Sequence, residues 1–402
     1  MRTPHKRTYC DFCVEKTALK LKTCIKILIA LGLALIVPVT NYLVDPAGIY
    51  TQSLAGSTEG TVVQLLLSGS GAEGLNNYDE RLVKRHCIYG ISKDTEVLAL
   101  GSSRVALVTA EMAGTDSFFN LAVTGAGLQD VVAMYGVSVM NGITPERVII
   151  ALDPCFVNSN YTSFRFDGVL NDGYAYCLTQ LMGYSADAVG YDSFVNGKYL
   201  AEGAVSSFFD YPLEMQQELF SIPYFQSSLQ LLLSGAAEDY IRATDLHYTD
   251  EASLRPDGSY CYPIAYREAG IAQVTELADS QTWLVEENKA RIIGCEDVQA
   301  GDPNLQLFAD FVAMLVESGV QVDLLAVPLN PILWQYMQQH ERYAPIIDSV
   351  DFFNRVAEEN GCRIVGSFDP AALGAEVTDF YDGYHYKPEK IAALLAQLEE
   401  VE

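Results

Sequence analysis

From about residue 95 onward, short apolar runs alternate with longer stretches in which apolar residues recur every three or four positions. "TEVLALGSSR" is an apolar run closed by small residues, and "VALVTAEM" behind it has helical potential. The same rhythm returns in "SFFNLAV" (117–123), in the helically spaced "GLQDVVAMYGVSVM" and in "PERVIIALDP" (145–154). It resumes late in the chain. There "NLQLFADFVAMLVESG" reads as a helix stopped at Gly319, "VQVDLLAVP" as a strand, "IIDSVDFFNRVAEENG" as a helix stopped at Gly361, "CRIVGSF" as a strand and "KPEKIAALLAQLEE" as a last helix. Strands that are apolar throughout are covered on both faces, and strands alternating with helices make βαβ units. The pattern predicts an α/β fold: a three-layer α/β/α arrangement around a five-stranded parallel sheet, its core divided between residues 95–155 and 301–402.

The interval 156–300 breaks this rhythm. It holds 13 of the 24 tyrosines, between Tyr161 and Tyr266, and turn signals such as "RFDG", "NDG" and "RPDG". It reads as an insertion over the C-terminal edge of the sheet, where α/β folds bind ligands. Most of its tyrosines are expected to pack the insertion with their hydroxyls reaching water. Upstream, "DPAGIY" and the Gly/Ser-rich "SGSGAEG" give 45–94 the look of a tether interrupted by one short apolar segment.

Residues 1–26 carry seven Lys/Arg against Asp11 and Glu15, and an uncharged run follows from Ile27 to Val44. Its length approaches the ~20 apolar residues of a bilayer span, and the basic flank orients such a span with its N-terminus in the cytoplasm. The expectation is a single-pass anchor over 27–44 behind a cytoplasmic leader, with the rest of the chain outside the cell membrane. A cleaved signal peptide is the rival reading, because the most apolar stretch, "ILIALGLALIVPV", also fits an h-region. The long leader and the lack of an A-x-A site favour the anchor.

Charge narrows the partners. The chain carries −27 overall although its leader is basic, and such a field repels polyanions, so nucleic acid is excluded as a partner. Six of the nine cysteines (Cys87, Cys155, Cys177, Cys261, Cys295 and Cys362) lie beyond the leader, widely spaced. An even number permits disulfides, and buried free thiols suit the spacing equally. Cys10 and Cys13 form a C-x-x-C with no second pair at zinc-site spacing, so no metal and no other cofactor is expected.

Two short motifs bear chemistry. Strand one ends in Gly101-Ser102-Ser103-Arg104, which puts a serine where the following helix would offer it backbone N–H groups. A serine hydroxyl is a weak nucleophile without a base. The chain has only five histidines, and one stands in "DFYDGYHYKPEK" (379–390), three residues after Asp382 and just before the last helix. Loops after the first and last strands of a doubly wound sheet share one edge. His385 can there take the proton of Ser103 while Asp382 orients the imidazole. Taken singly, Gly-Ser-Ser is common turn chemistry, and Asp382 would serve as a helix cap. Arg104 would hold a substrate carboxylate or phosphate, or pair with a neighbouring acid; the second is the more usual role.

These motifs, in this order, resemble the SGNH (GDSL-like) hydrolase superfamily, and within it the membrane-anchored, extracytoplasmic members linked to acylation of cell-envelope polysaccharides. The resemblance covers 95–155 and 305–402. It implies Ser103 as nucleophile, with Ser102 in place of the family's aspartate, and His385 and Asp382 as base and orienting acid. It also implies an oxyanion hole lined by the N–H groups of Ser103 and Gly125. The family's third block, Gly-x-Asn-Asp, falls near "ALDPCF" (151–156), where Asp153 stands and no asparagine does. Asn158, or Asn330 in "VPLNP", is the nearest substitute. With Arg104 and Asp153, these residues are the candidates for substrate contact. The implied activity is a serine esterase or O-acyltransferase, chiefly of acetyl groups. Its partners would be an acylated glycan or acyl donor, the membrane through the N-terminal helix, and a membrane-bound acyltransferase. An inactive SGNH-shaped scaffold of an acylation complex, or a lipase, would carry the same motifs.

Overall fold

The computed structural model describes residues 26, 32, 35–44, 57–75, 78–159, 169–185, 219–234, 241–245, 247–284 and 301–399. Its strands in chain order are β1 (Gly71–Glu73), β2 (Val97–Leu100), β3 (Phe118–Asn120), β4 (Arg147–Leu152), β5 (Arg242–Thr244), β6 (Ser253–Leu254), β7 (Tyr260–Cys261), β8 (Gln321–Ala326) and β9 (Arg363–Gly366). Five of them form one sheet in the order β3-β2-β4-β8-β9, with every neighbouring pair parallel. These are the five strands that the apolar runs predict. The helices between them, Leu128–Met140, Pro303–Glu317, Ala344–Asn360 and Pro388–Glu399, also fall where the spacing puts them. Gly319 and Gly361 stop two of these helices at φ +84° and +64°, a backbone region glycine enters without steric cost.

Alternation along each strand divides the core in two. Leu98, Leu100, Val148, Ile150, Val322 and Leu324 join the cluster that contains the Leu128–Met140, Pro303–Glu317 and Ala344–Asn360 helices. Val97, Ala99, Ile149, Ala151 and Leu325 join the other, which contains Ile391, Leu394, Leu395 and Leu398 of the last helix. The sheet is thus covered on both faces, and each fully buried aliphatic side chain contributes about 1.5–3 kcal/mol. At the N-terminal edge the buried Asp323 of β8 binds Arg147 of β4 and Arg363 of β9 together, which pins three adjacent strands.

Two expectations are corrected. Residues 58–75 and 78–90 are part of the folded body and not a tether. The helices Thr58–Leu67 and Glu80–Gly90 bury Val62, Leu66, Val83, Cys87 and Ile88 in the first cluster, and Arg81 makes a buried two-pronged ion pair with Asp130 at 2.6 and 2.9 Å. Strand β1 pairs with β5 and β6 of the insertion in a second, antiparallel sheet ordered β5-β1-β6-β7. The short, Gly/Ser-rich stretch hides this role because a strand of three residues is too brief to show alternation. The second correction concerns "VALVTAEM". Its first residues form consecutive turns, and only Ala110–Ala113 is helical.

The chain divides into two units, a body of residues 58–204 and 238–402 and a smaller unit of residues 1–57 and 205–237. In the smaller unit residues 35–44 are helical, and so is Ile222–Ser234. The basic leader through Ile25 and, Gly32 apart, residues 27–34 lie outside the described residues. Among the described residues no helix is long and apolar enough to cross a membrane.

Candidate active site

Ser103 and His385, 282 positions apart in the chain, meet at the C-terminal edge of the parallel sheet. The Ser103 Oγ lies 2.8 Å from His385 Nε2, and His385 Nδ1 lies 2.7 Å from Asp382 Oδ2. The order hydroxyl–imidazole–carboxylate is that of a proton relay.

Local sequence explains each arm. Gly101, at φ +147°, turns the chain out of β2; a Cβ there would sit 2.6 Å from the Ala151 Cβ of β4, so close packing of two strand ends also demands glycine. Ser103 then sits in a turn rather than at a helix mouth: Val105 N–H donates to Ser102 O at 3.1 Å and Ala106 N–H to Ser103 O at 3.3 Å. The other arm is a tight hairpin-like loop. Phe380 and Tyr386 form an isolated antiparallel bridge with their rings 4.9 Å apart, and Tyr381 N–H donates to His385 O. Inside that loop Asp382 Oδ1 accepts the N–H groups of Tyr384 (2.8 Å) and His385 (3.0 Å), so one carboxylate both folds the loop and faces the imidazole. Burial works against the Asp382 charge, yet His385 and these two amides hold its pKa below the ordinary carboxylate value.

Two residues outside the motifs clamp the loop from behind. Asn330 caps the Pro331–Gln338 helix by accepting Ile332 N–H at 3.0 Å. Its Nδ2 donates to Asp382 O at 3.0 Å, and its backbone N–H donates to Gly383 O at 3.0 Å. Gln281, from the insertion helix Ile271–Leu284, accepts Gly383 N–H at 2.6 Å. A Cβ on Gly383 would come within 2.4 Å of that Gln281 oxygen, so the glycine admits the clamp. Asn330 therefore holds the loop that carries the acid and base, and it does not line the cavity beside Ser103.

That cavity measures about 140 Å³ and is lined by Ser103, His385, Glu80, Lys84, Tyr260 and Tyr262 together with Ala106, Ala122, Thr124, Leu254 and Gly258. Four of these come from the insertion, so the Tyr-rich segment does reach the site. Tyr262 packs against the His385 ring at 5.4 Å and against Tyr381 at 4.9 Å; burial and the Asp382 charge raise its phenol well above the usual value, which keeps it a neutral hydroxyl. Lys84 is buried, donates to Asn120 O at 2.7 Å and to Gly258 O, and is pushed down to about 8 by burial. Glu80 accepts Thr124 N–H and, at 3.0 Å, the Thr124 hydroxyl. Glu80 and Lys84 belong to the stretch that reads as a tether, and no spacing in the sequence singles them out. A D-E-x-x-V-K cap-and-helix pattern around Asp79 was the available local sign of a helix there.

The remaining candidates fall elsewhere. Arg104 is buried and spends its guanidinium on Asp153 (3.2 Å), on Val327 O and on Pro328 O (3.3 Å), over the Phe368 ring; it ties the exits of β4 and β8 together rather than facing a ligand. Burial raises the Asp153 pKa, with Arg104 opposing. Asp153 does not line the cavity, nor does Asn158, which is buried at the end of the short 3₁₀ turn Pro154–Val157. Gly125 takes φ +61° in an exposed turn, and the cavity is lined by its neighbours Ala122 and Thr124 instead. Both neighbours have their N–H groups committed: Ala122 to Asn120 Oδ1 at 2.9 Å and Thr124 to Glu80. Val123 N–H donates to Gly101 O at 3.0 Å. Five cysteines among the described residues, Cys87, Cys155, Cys177, Cys261 and Cys362, are free thiols.

No protein-family model matches the chain, and no curated protein does either.

Proposed function

We propose that this protein is an extracytoplasmic serine esterase or O-acyltransferase of the SGNH type, held at the cell membrane by its N-terminal segment and acting on an acylated cell-envelope glycan. The observation that carries the reading is the contact series from Ser103 Oγ through His385 to Asp382, opening on a cavity of about 140 Å³. Ser103 Oγ attacks the ester carbonyl carbon while its proton passes to His385 Nε2. Asp382 stabilises the imidazolium that results. Collapse of the tetrahedral intermediate breaks the bond to the leaving alcohol, which takes that proton and leaves an acyl-Ser103. Water gives hydrolysis and a sugar hydroxyl gives transfer; His385 removes the proton of either acceptor as the second intermediate forms. The small cavity suits an acetyl group better than a long chain, which disfavours a lipase.

The test is reaction of the purified protein with a serine-directed fluorophosphonate, with the modified residue mapped by mass spectrometry. Labelling at Ser103 that disappears in Ser103→Ala is the expected result. Absence of labelling, together with retained glycan binding, would instead identify a non-catalytic scaffold, a reading favoured by the committed amides of Ala122 and Thr124 in the cavity wall.

A further inference from the structure

Among the described residues of the smaller unit, polar side chains are buried while large apolar ones face outward. Its buried residues include the polar Asn41 and Ser228, both at 0 % exposure, whereas Leu43 is 72 %, Phe220 61 %, Leu232 58 % and Leu233 78 % exposed. Asn41 Nδ2 donates to Leu219 O at 2.9 Å and to Ser221 O at 3.2 Å, and its Oδ1 accepts the Ser228 hydroxyl at 3.1 Å. In water the arrangement would be reversed, with apolar side chains between the helices and polar ones outside. In hydrocarbon, polar side chains are the groups that gain by facing one another, and leucines lose nothing by facing outward.

Two further features point the same way. From Leu219 to Ala237 the chain has no charged residue, and Glu218 and Glu238 bound the run. Hydroxyls on the Ile222–Ser234 helix turn back onto its own carbonyls: Ser227 donates to Pro223 O at 3.2 Å, and the Ser228 hydroxyl divides its one proton between Tyr224 O at 2.9 Å and Asn41 Oδ1, an arrangement that satisfies donors in hydrocarbon. The helix has 13 residues, about 20 Å at 1.5 Å per residue, against a hydrocarbon core of ~30 Å. It cannot cross a bilayer, and it is long enough to sit in one leaflet.

We infer that the Ile222–Ser234 helix is a second membrane-embedded element, seated in one leaflet of a lipid bilayer beside residues 35–44. The inference rests on the anchor reading of the N-terminal segment and adds to it a membrane contact made by the insertion. The apolar occupant is lipid rather than a second copy of the chain, because Leu35, Ile36, Val39 and Leu43 are exposed as well as Ile222, Leu229 and Leu233, so both elements present apolar faces outward while their polar contacts are made to one another.

The experiment places one tryptophan at a time in the full chain, Leu233→Trp or Leu43→Trp, reconstituted in phosphatidylcholine/phosphatidylglycerol vesicles with and without brominated acyl chains. Both positions are exposed, so neither substitution disturbs packing. The expected result is that the emission added by either tryptophan is lost in the brominated vesicles. Loss at position 43 alone overturns the inference and leaves the anchor standing. Loss at 233 alone removes the anchor reading and, with it, the placement beside residues 35–44, so it overturns the inference as stated while leaving the helix itself in lipid. Loss at neither overturns both. Emission at 233 that is shielded from brominated chains and from aqueous iodide alike means a protein partner covers the helix, and that also overturns the proposal.

Discussion

The two halves of the candidate site differ in how completely they are built. On the proton-relay side Asp382 holds two amides and the imidazole, and Asn330 and Gln281 brace the loop from outside. On the side where an oxyanion would form, the amides of Ala122, Val123 and Thr124 are spent on the protein itself, and the charged groups nearest the nucleophile in the cavity wall are Glu80 and Lys84. The relay half is rigid because a short loop must present a carboxylate and an imidazole in one geometry. The other half is stable without ligand because its donors are already satisfied. Preorganised donors are usually the larger contribution to ester hydrolysis, so ester turnover by the proposed relay would depend chiefly on the less complete half.

Four measurements break or sharpen that contrast. Ser103→Ala should lower turnover of a chromogenic acetyl ester by on the order of 10³- to 10⁶-fold with the fold intact by circular dichroism; an unchanged rate removes the relay from the chemistry. Asp382→Asn keeps an oxygen for the amides of Tyr384 and His385 but gives the imidazole the wrong partner, and kcat should fall by on the order of 10³- to 10⁴-fold with little change in KM. A loss confined to KM would mean that Asp382 only shapes the pocket.

On the other half, the pH dependence of stability tests Lys84. Burial lowers its pKa from 10.5 to about 8. The unfolded chain, with the ordinary value, then binds the proton more tightly, so burial of Lys84 is most costly below pH 8 and the cost vanishes as pH rises towards 10.5. Relative to Lys84→Met, the wild type should gain about 2–3 kcal/mol between pH 7 and pH 10 in urea unfolding. A difference independent of pH would show that the ammonium stays solvated. The smallest effect expected is that of Asn330→Asp, which keeps the helix cap and loses the donor to Asp382 O. It should cost about tenfold in kcat and, because its buried carboxylate then faces Asp382 O without a donor, more stability than Asn330→Ala, which should lose about 1 kcal/mol with the cap. Equal activity in all three forms would mean the loop needs no brace.

Legibility in the sequence followed the range of the interactions. All five parallel strands stood out because strands covered on both faces are apolar throughout, and Ser103, Asp382 and His385 stood out because small turn residues and a rare histidine mark strand ends. The part played by residues 58–75 and 78–90 did not. A three-residue strand carries too little pattern, and Lys84 and Arg81 count as surface charges until a carbonyl or Asp130 is found opposite. Arg104, Asp153 and Asn330 have the residue types of ligand contacts, yet each is consumed by a partner far along the chain: Val327 O for Arg104, Asp382 O for Asn330.

By itself the amino-acid order determined the strand and helix rhythm, the acidic charge, the uncharged N-terminal run and the three candidates for a relay. These rest on properties of single residues and their nearest neighbours. Only the tertiary structure decided that the hydroxyl and the imidazole lie within hydrogen-bond reach, that Gln281 and Asn330 brace the loop and that Lys84 lines the cavity. It also decided that Asn41 and Ser228 are buried while leucines face outward. A contact between distant segments depends on how the whole sheet and its insertion pack, and no short stretch of sequence encodes that.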